Sequence, residues 1–575
     1  TRVRSSAASD VYKRQKETNM NILKWMWKIL PIMLLAVNAT ACNDDDDSGK
    51  RERPLTFEVT FLSLVCNYTR PVVVNAPFTG KDYHLTVTAS PEVTWKVEVV
   101  SGDLVTATPS GEQSGSGEIT LTVAANPAKD PGKKSEVVIT NNANDDTYRF
   151  VFTQVEKVLL IPEHTMIGQS GPELFENENS KFNKHYMKES DNVALFWEKS
   201  FGTNPQNAER KFNPDDLLKM AEEVYDFMKY DLYFGNKEES VTNKYKLIVY
   251  VINDSEGGAT GGGNYPVGEL AIRPHHSGNP NMVYHEVSHS FQYLALWDSG
   301  IKDAWFPGPI FEMTSQWTLL RRSPEWIDQE FNHFTNYISG THRSLGHNDN
   351  AYNNPYMFEY WANKHGVEIM SRIFQETTLD DKTESGQLNF IKTYKRLTHI
   401  NQEQLNEEMY DAASRFITWD LPRIEMAYAA RGANVHTCQL VQLGVTYRIS
   451  PERCPSNYGY NGIKLTVPEA GTTVKVNFRG IINSSEYNIH KPNNAQWRYG
   501  FLAVLKDGSR VYGEPSKEDI GSASLQVPEN TEHLWLVVAA TPKEIYDTGA
   551  DNQWPYQFTL DNTEPDGDKC RVIKK

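Results

Sequence analysis

Two histidines and a glutamate lie close together in the middle of the chain, as His285, Glu286 and His289. On a helix, histidines four residues apart present their imidazoles on one face, which suits a zinc ion. The glutamate between them is placed to act as a general base towards a water molecule that the metal activates. No glycine or proline interrupts the segment Met282 to Trp297. We therefore predict a metal-binding helix here.

A catalytic zinc site usually takes three protein ligands, so a third ligand is required. Glu312 fits this role, because a Gly-Pro pair breaks the chain just before it and a helix follows. The metzincin pattern HExxHxxGxxH is not met, since Gln292 and Ala295 stand where glycine and histidine are required. Asp298 or Asp303 remains the alternative third ligand.

These residues give the chain a resemblance to the gluzincin metallopeptidases. The segments HEVSHSFQ and GPIFEMTSQW are similar to the HExxHxxQ motif and the later glutamate block of the enhancin-like, mucin-directed peptidases. Ser288 stands where many such enzymes have glycine. The resemblance implies a zincin-like α+β catalytic domain with Zn²⁺ bound by His285, His289 and Glu312. It also implies that Glu286 is the general base of peptide-bond hydrolysis.

A hydrogen-bond donor that stabilises the developing oxyanion is also expected near the metal. The aromatic segment downstream of the motif and the histidine after it contain four candidates: Tyr352, Tyr356, Tyr360 and His365. Aromatic residues at this spacing are also typical of a helix core. The sequence therefore leaves the choice among these residues open.

A run of glycines at 257–263 precedes the motif. Such a run permits unusual backbone angles and the close approach of another chain. Residues 268–273 follow as a short strand, where zincins place a substrate-binding edge strand that can pair with an extended peptide. A flexible surface loop is the alternative interpretation of the glycine run.

The N-terminal segment indicates export. Residues 1–19 resemble translated adaptor sequence and precede a natural start at Met20, so we expect them to be non-native. Residues 20–41 have the basic start and short apolar run of a lipoprotein signal peptide, and Cys42 ends a bacterial lipobox. Residues 42–54 form an acidic tether. We predict a lipidated Cys42 and a location on the outer membrane or cell surface.

Composition limits the functional classes. A net charge of -16 argues against nucleic-acid binding. The cysteines after Cys42 contain no CxxC pair, so a thiolate zinc site is not expected. Cys438 and Cys454 are close enough in sequence for a candidate disulfide, which an oxidising compartment would allow.

With 575 residues the chain is too long for one core, and we predict a multidomain protein. Alternating strands at 55–156 predict an immunoglobulin-like β-sandwich, and its turn segments resemble those of BACON modules. Residues 157–435 form the predicted zincin-like domain. Residues 440–565 return to β-structure and predict a jelly-roll-type sandwich.

The function predicted from the sequence is a surface-anchored zinc metalloendopeptidase that acts on a protein or glycoprotein of host or dietary origin. The β-sandwich domains are candidates for glycan contact, and the membrane is contacted through the lipid anchor alone. The alternative is a non-catalytic, carbohydrate- or mucin-binding lipoprotein in which the zincin domain is a degenerate scaffold. A glycosidase with paired carboxylates has no specific support in the sequence.

Overall fold

The computed structural model describes residues 55–61, 64–66, 68–130, 132–169, 171–383, 386–545 and 552–575. The predicted extension, signal peptide, lipidation site at Cys42 and acidic tether lie outside this range. Residues Thr56–Lys575 form one compact unit, in which five β-sheets combine with α-helices in an α+β arrangement. Among the helices that the model describes, none has the length and apolar composition needed to cross a membrane.

Two β-sheets make up the N-terminal region. Its strands are β1 (Phe57–Phe61), β2 (Leu64–Val65), β3 (Val72–Asn75), β4 (Lys81–Ala89), β5 (Thr94–Ser101), β6 (Val105–Thr108), β7 (Gly111–Ser114), β8 (Gly117–Val123), β9 (Lys133–Asn141) and β10 (Thr147–Gln154). The strand orders are β2-β1-β4-β8-β6 and β3-β10-β9-β5-β7. Alternate side chains, such as Leu85 and Val87, point inwards and join both sheets in one apolar core. Trp95 lies in this core and donates a hydrogen bond from Nε1 to the Gly115 carbonyl oxygen at 2.7 Å.

One mixed sheet supports the middle region. Its strands are β11 (Met187–Glu189), β12 (Val193–Trp197), β13 (Leu247–Val251), β14 (Thr260–Asn264) and β15 (Val267–Ile272). The order is β11-β12-β13-β15-β14, with three parallel inner strands and an antiparallel strand at each edge. The inner strands are buried throughout, because apolar side chains pack against both faces of the sheet. Residues 260–263 of the glycine run lie in the edge strand β14, whereas the predicted edge strand 268–273 corresponds to the inner strand β15.

Most of the helices lie on one face of this sheet or beyond it, and a short helix that contains Phe175 packs on the opposite face. They are α1 (Pro172–Glu176), α2 (Pro214–Asp226), α3 (Pro280–Asp298), α4 (Gly308–Arg322), α5 (Trp326–Gln329), α6 (Phe331–Ser339), α7 (Tyr356–His365), α8 (Ile369–Glu376), α9 (Phe390–Thr398), α10 (Gln402–Phe416) and α11 (Glu425–Ala429). Helix α3 contains the HExxH motif and begins at Pro280, where the Asn279 side chain accepts a hydrogen bond from the Asn281 N–H at 3.1 Å. The predicted helix is therefore confirmed.

The C-terminal region is again made of β-strands. They are β16 (Cys438–Leu443), β17 (Thr446–Ile449), β18 (Tyr460–Leu465), β19 (Thr473–Gly480), β20 (Trp497–Leu505), β21 (Arg510–Tyr512), β22 (Ile520–Gln526), β23 (Thr531–Ala540), β24 (Tyr556–Asp561) and β25 (Cys570–Lys574). They form one sheet of order β22-β19-β24-β17-β16-β25 and another of order β18-β23-β20-β21. Helix α10 packs on β20 and β23, and Leu502, Trp535 and Val537 join the core of the helical region. A second core lies between the two sheets and contains the buried aromatic residues Trp497, Tyr499, Trp554 and Tyr556.

The cysteines do not pair as we predicted. Cys438, Cys454 and Cys570 are all buried, and all three have free thiols. Strand β25 lies parallel to β16, and the register places Cys438 directly opposite Cys570. Cys454 instead ends the short helical turn Pro451–Arg453 that follows β17. Proximity in sequence therefore did not identify the strand neighbour of Cys438, which is set by the return of a distant strand.

Candidate metal centre and active site

Helices α3 and α4 bring the three predicted metal ligands together. His285 Nε2 lies 3.0 Å from Glu312 Oε2 and 3.2 Å from His289 Nε2, and His289 Nε2 lies 3.3 Å from Glu312 Oε2. Donor atoms that bind one zinc ion tetrahedrally at ~2.0–2.2 Å lie about 3.3–3.6 Å apart. The observed triangle is slightly smaller than this, so shifts of a few tenths of an ångström would admit the ion. Two imidazole nitrogens and one carboxylate oxygen are also a donor set that zinc accepts.

The alternative third ligands lie elsewhere. Of the residues that the structure describes, His285, His289 and Glu312 are the group of histidine, cysteine and acidic side chains that converges closely enough for a metal. Asp298 accepts a hydrogen bond from the Val241 N–H at 3.0 Å, and Asp303 lies in the α3–α4 loop outside the cluster. Glu312 reaches the histidines because it lies one turn into α4, which packs beside α3.

Hydrogen bonds and opposite charge couple Glu312 to the two histidines. Burial alone would raise the pKa of Glu312, but hydrogen bonds from His285 and His289 hold that pKa far below its ordinary value. Burial alone would lower the pKa of His289, yet the hydrogen bond and negative charge of Glu312 raise it. The carboxylate thus favours a positive charge at this point, and a metal cation would satisfy the same preference.

Polar side chains on α3 and α4 orient His289. Its Nδ1 atom lies 3.1 Å from Gln292 Oε1 and 3.2 Å from Ser315 Oγ. Gln292 also donates a hydrogen bond from Nε2 to the Phe311 carbonyl oxygen at 3.0 Å, which ties the two helices together. Because the amide oxygen of Gln292 accepts a hydrogen bond from the Nδ1–H group, the Nε2 lone pair of the neutral ring is available for a metal. Sequence reasoning noted Gln292 only as a motif position and did not identify Ser315.

Glu286 faces the edge strand β14. Its Oε2 atom accepts a hydrogen bond from the Gly261 N–H at 2.7 Å. A Cβ atom at position 261 would lie 1.7 Å from the carbonyl oxygen of Glu286, so a side chain cannot be accommodated without moving the strand. This close approach explains a glycine at this position of the run. The glycine run predicted a close approach of another chain segment, but it did not identify Glu286 as the partner.

Tyr352 is the predicted oxyanion donor that reaches the cleft. Its ring stacks on that of His285, with centroids 5.8 Å apart and an interplanar angle of 21°. The side chain remains partly exposed in the loop before α7. Burial raises the pKa of Tyr352 to about 12, together with the charge of Glu312 and a hydrogen bond to that carboxylate. The phenol is therefore protonated at neutral pH and can donate a hydrogen bond.

The other three predicted donors lie away from the metal ligands. Tyr356 is fully buried among the aromatic rings of the helical region. Tyr360 donates a hydrogen bond to Asp411 Oδ2 at 2.7 Å, and His365 Nε2 lies 3.0 Å from Glu408 Oε1. All three are on α7 and form structural contacts, so their assignment as oxyanion donors was wrong. The helix-core alternative describes them correctly.

The candidate ligands line an open cleft of about 470 Å³. The start of β14 forms one part of its wall, and a group of aromatic side chains forms another: Tyr293, Trp305, Phe306 and Phe311. The Tyr293 ring lies 5.0 Å from that of Trp305 and 5.3 Å from that of Phe311, measured between centroids. The cleft thus combines a polar metal-binding floor with an apolar wall.

Comparisons with known proteins identify a family but not an activity. No curated protein matches the chain. Solved structures with partial likeness include WR4, a C. elegans MSP family member (14% identity, 14% of this chain and 92% of that chain, TM-score 0.12). Another is a Bacteroides ovatus GH5 xyloglucanase in complex with a XXXG heptasaccharide (9% identity, 41% of this chain and 62% of that chain, TM-score 0.15). A third is the secreted serine protease VesC from Vibrio cholerae (6% identity, 88% of this chain and 50% of that chain, TM-score 0.16). TM-scores this low assign neither a fold nor an activity. The family model described as "Family of unknown function (DUF6055)" matches residues 153–567, most of the chain, and the protein therefore belongs to the DUF6055 family.

Proposed function

We propose that this protein is a zinc metalloendopeptidase of the gluzincin type. The observation that carries the proposal is the triangle of His285, His289 and Glu312 donor atoms, 3.0–3.3 Å on each side, beside the carboxylate of Glu286. The four side chains line one open cleft, which an enzyme acting on a polymer requires.

Zinc bound at this point would lower the pKa of a water molecule and polarise the scissile carbonyl group. Glu286 would accept a proton from the attacking water and later transfer it to the leaving amine. The hydroxyl of Tyr352 would donate a hydrogen bond to the carbonyl oxygen as negative charge develops there. Gln292 and Ser315 would keep His289 in one orientation throughout.

Strand β14 supports a peptide as the substrate. It is the outermost strand of its sheet, and the Gly261 N–H points away from β15 to Glu286. The open side of this strand therefore borders the cleft. An extended peptide could add to it through main-chain hydrogen bonds, which is a common mode of peptide recognition. The aromatic wall would receive an apolar side chain next to the scissile bond.

We further propose a zincin-like domain at 157–435, a BACON-like sandwich before it and a jelly-roll-type sandwich after it. The mixed sheet with its antiparallel edge strand and the motif on α3 support the first assignment. In keeping with the sequence, the protein would act on proteins or glycoproteins at the cell surface. The alternative, a non-catalytic carbohydrate- or mucin-binding lipoprotein, loses support, because Trp95, Trp497 and Trp554 are buried and cannot stack on a sugar.

The decisive experiment compares Glu286→Gln with the wild-type protein. Removal of a general base lowers the rate by about 10²–10⁴-fold, while the zinc ligands remain. Proteolysis of an unfolded protein substrate and zinc per chain by mass spectrometry are the two measurements. Glu239→Gln, a change at a highly exposed glutamate, serves as the matched control and should leave both unchanged.

A chelator should remove the activity of the wild-type protein, and added zinc should restore it. Two results would overturn the proposal: a zinc content below about 0.2 per chain after gentle purification, or full activity of the Glu286→Gln variant.

A further inference from the structure

The C-terminal region contains three buried cysteines whose thiols take no part in the proposed catalysis. Cys438 begins β16, Cys570 begins β25, and Cys454 lies between them in sequence. All three belong to the same apolar core. Cys454 has a different environment from the other two, because its thiol approaches the Pro455 carbonyl oxygen at 3.9 Å.

The strand register places Cys438 and Cys570 within the Cα separation that a disulfide spans. They are directly opposite each other in the parallel pair β16–β25. Adjacent strands lie about 4.7–4.9 Å apart, and disulfides join Cα atoms about 4.4–6.8 Å apart. Both side chains are buried in the same core, so they leave the sheet on the same face. The two thiols also form a hydrogen bond, which together with burial raises the pKa of Cys570.

We propose that Cys438 and Cys570 form a disulfide when the protein folds in an oxidising compartment, and that this bond holds β25 to β16. The oxidant is a protein or small-molecule disulfide. Both S–H bonds break and one S–S bond forms. The two electrons and two protons pass to the oxidant, which leaves as two thiols.

The position of β25 explains what such a bond contributes. It is an edge strand, paired with β16 alone in its sheet, and Cys570 is its single buried residue. Main-chain hydrogen bonds and little apolar burial therefore hold the strand, a combination that favours fraying. A covalent link closes this edge and restricts the unfolded chain between the two cysteines. Once β25 is docked, burial shields the sulfur atoms from reductants.

The test uses the full mature chain exported to an oxidising compartment. The protein is denatured without reductant, free thiols are alkylated, and the digest is examined by mass spectrometry. The expected result is one cross-linked species that joins the Cys438 and Cys570 peptides, two hydrogen masses below their sum, and that a reductant separates. Alkylation of both cysteines, or a link from either one to Cys454, would overturn the proposal.

A stability measurement gives an independent outcome. Reduction should lower the thermal midpoint of the wild type by roughly 5–10 °C. Cys454→Ala, the matched control, should respond to reductant as the wild type does, since it leaves the proposed pair intact. Cys570→Ala should have a midpoint that reductant does not change, whether or not the protein cleaves peptides. A reductant effect that persists in Cys570→Ala would contradict the proposal.

Discussion

The backbone N–H of Gly261 donates a 2.7 Å hydrogen bond to the Oε2 atom of Glu286. This contact joins the edge strand β14 to the metal helix α3 at the carboxylate that we propose as the general base. One carboxylate oxygen is held by the strand, and the Glu286 side chain lines the cleft. The strand that we propose as the peptide-binding edge therefore also orients the proposed general base.

Replacement of Gly261 by alanine tests this contact. The added Cβ atom would lie 1.7 Å from the Glu286 carbonyl oxygen, so β14 must move away from α3. A displacement of about 1 Å at a catalytic group can reduce the rate about 10²-fold, and we expect kcat/KM to fall by about this factor while zinc stays bound. Gly258→Ala is the control from the same run, because a Cβ atom there meets open space. Equal activity of both variants would refute the role of the contact.

Tyr352→Phe removes the proposed oxyanion donor but keeps the ring. Loss of one such donor costs about 10²–10³-fold in kcat, and KM should change little, because the hydrogen bond strengthens only in the transition state. Tyr356→Phe is the control, since this buried hydroxyl lies 3.5 Å from the Tyr428 hydroxyl and away from the cleft. Steady-state kinetics on a peptide substrate distinguish the two. A kcat for Tyr352→Phe within a factor of about two of the wild type would exclude its role.

Gln292→Ala should weaken zinc binding without removing a ligand. The side chain accepts a hydrogen bond from His289 Nδ1 and fixes the ring. Loss of such an outer partner typically costs about 10–100-fold in metal affinity, which competition with a chelator measures. Gln375→Ala is a matched control, because this buried glutamine donates a 2.7 Å hydrogen bond to the Tyr233 carbonyl oxygen and is not part of the metal-ligand cluster. Zinc affinity equal in both variants would contradict the assignment.

Zinc retention should depend on pH through His289. Burial alone would lower the pKa of His289, but Glu312 raises it above the ordinary value of 6.5. Zinc needs the neutral imidazole, so protons compete from a higher pH than at an ordinary histidine, and affinity falls as the pH decreases through this raised pKa. The depressed pKa of Glu312 keeps the carboxylate ionised over the same range.

Equilibrium dialysis at constant free zinc, from about pH 8 to about pH 5, measures this effect. We expect bound zinc to decline on the acid side of neutrality. Zinc content that stays constant until carboxylates titrate near pH 4 would show that His289 is not a ligand.

The sequence by itself determined the features that depend on short-range periodicity. The spacing of His285 and His289 places both imidazoles on one face of a helix, since a helix repeats every 3.6 residues. The segment Met282 to Trp297, free of glycine and proline, predicted α3, and the Gly-Pro pair before Glu312 predicted α4. Alternating apolar residues likewise predicted the strands of the two outer regions.

Only the tertiary structure decided which distant residues meet. Tyr352 lies beside His285, because Gln316 on α4 holds the loop before α7 through the Tyr352 carbonyl oxygen, while α7 turns Tyr356 into the core. Gly261 likewise meets Glu286, and Cys438 meets Cys570 rather than Cys454. Such contacts depend on how sheets and helices dock across the chain, and this long-range packing leaves no periodic signal in the local sequence.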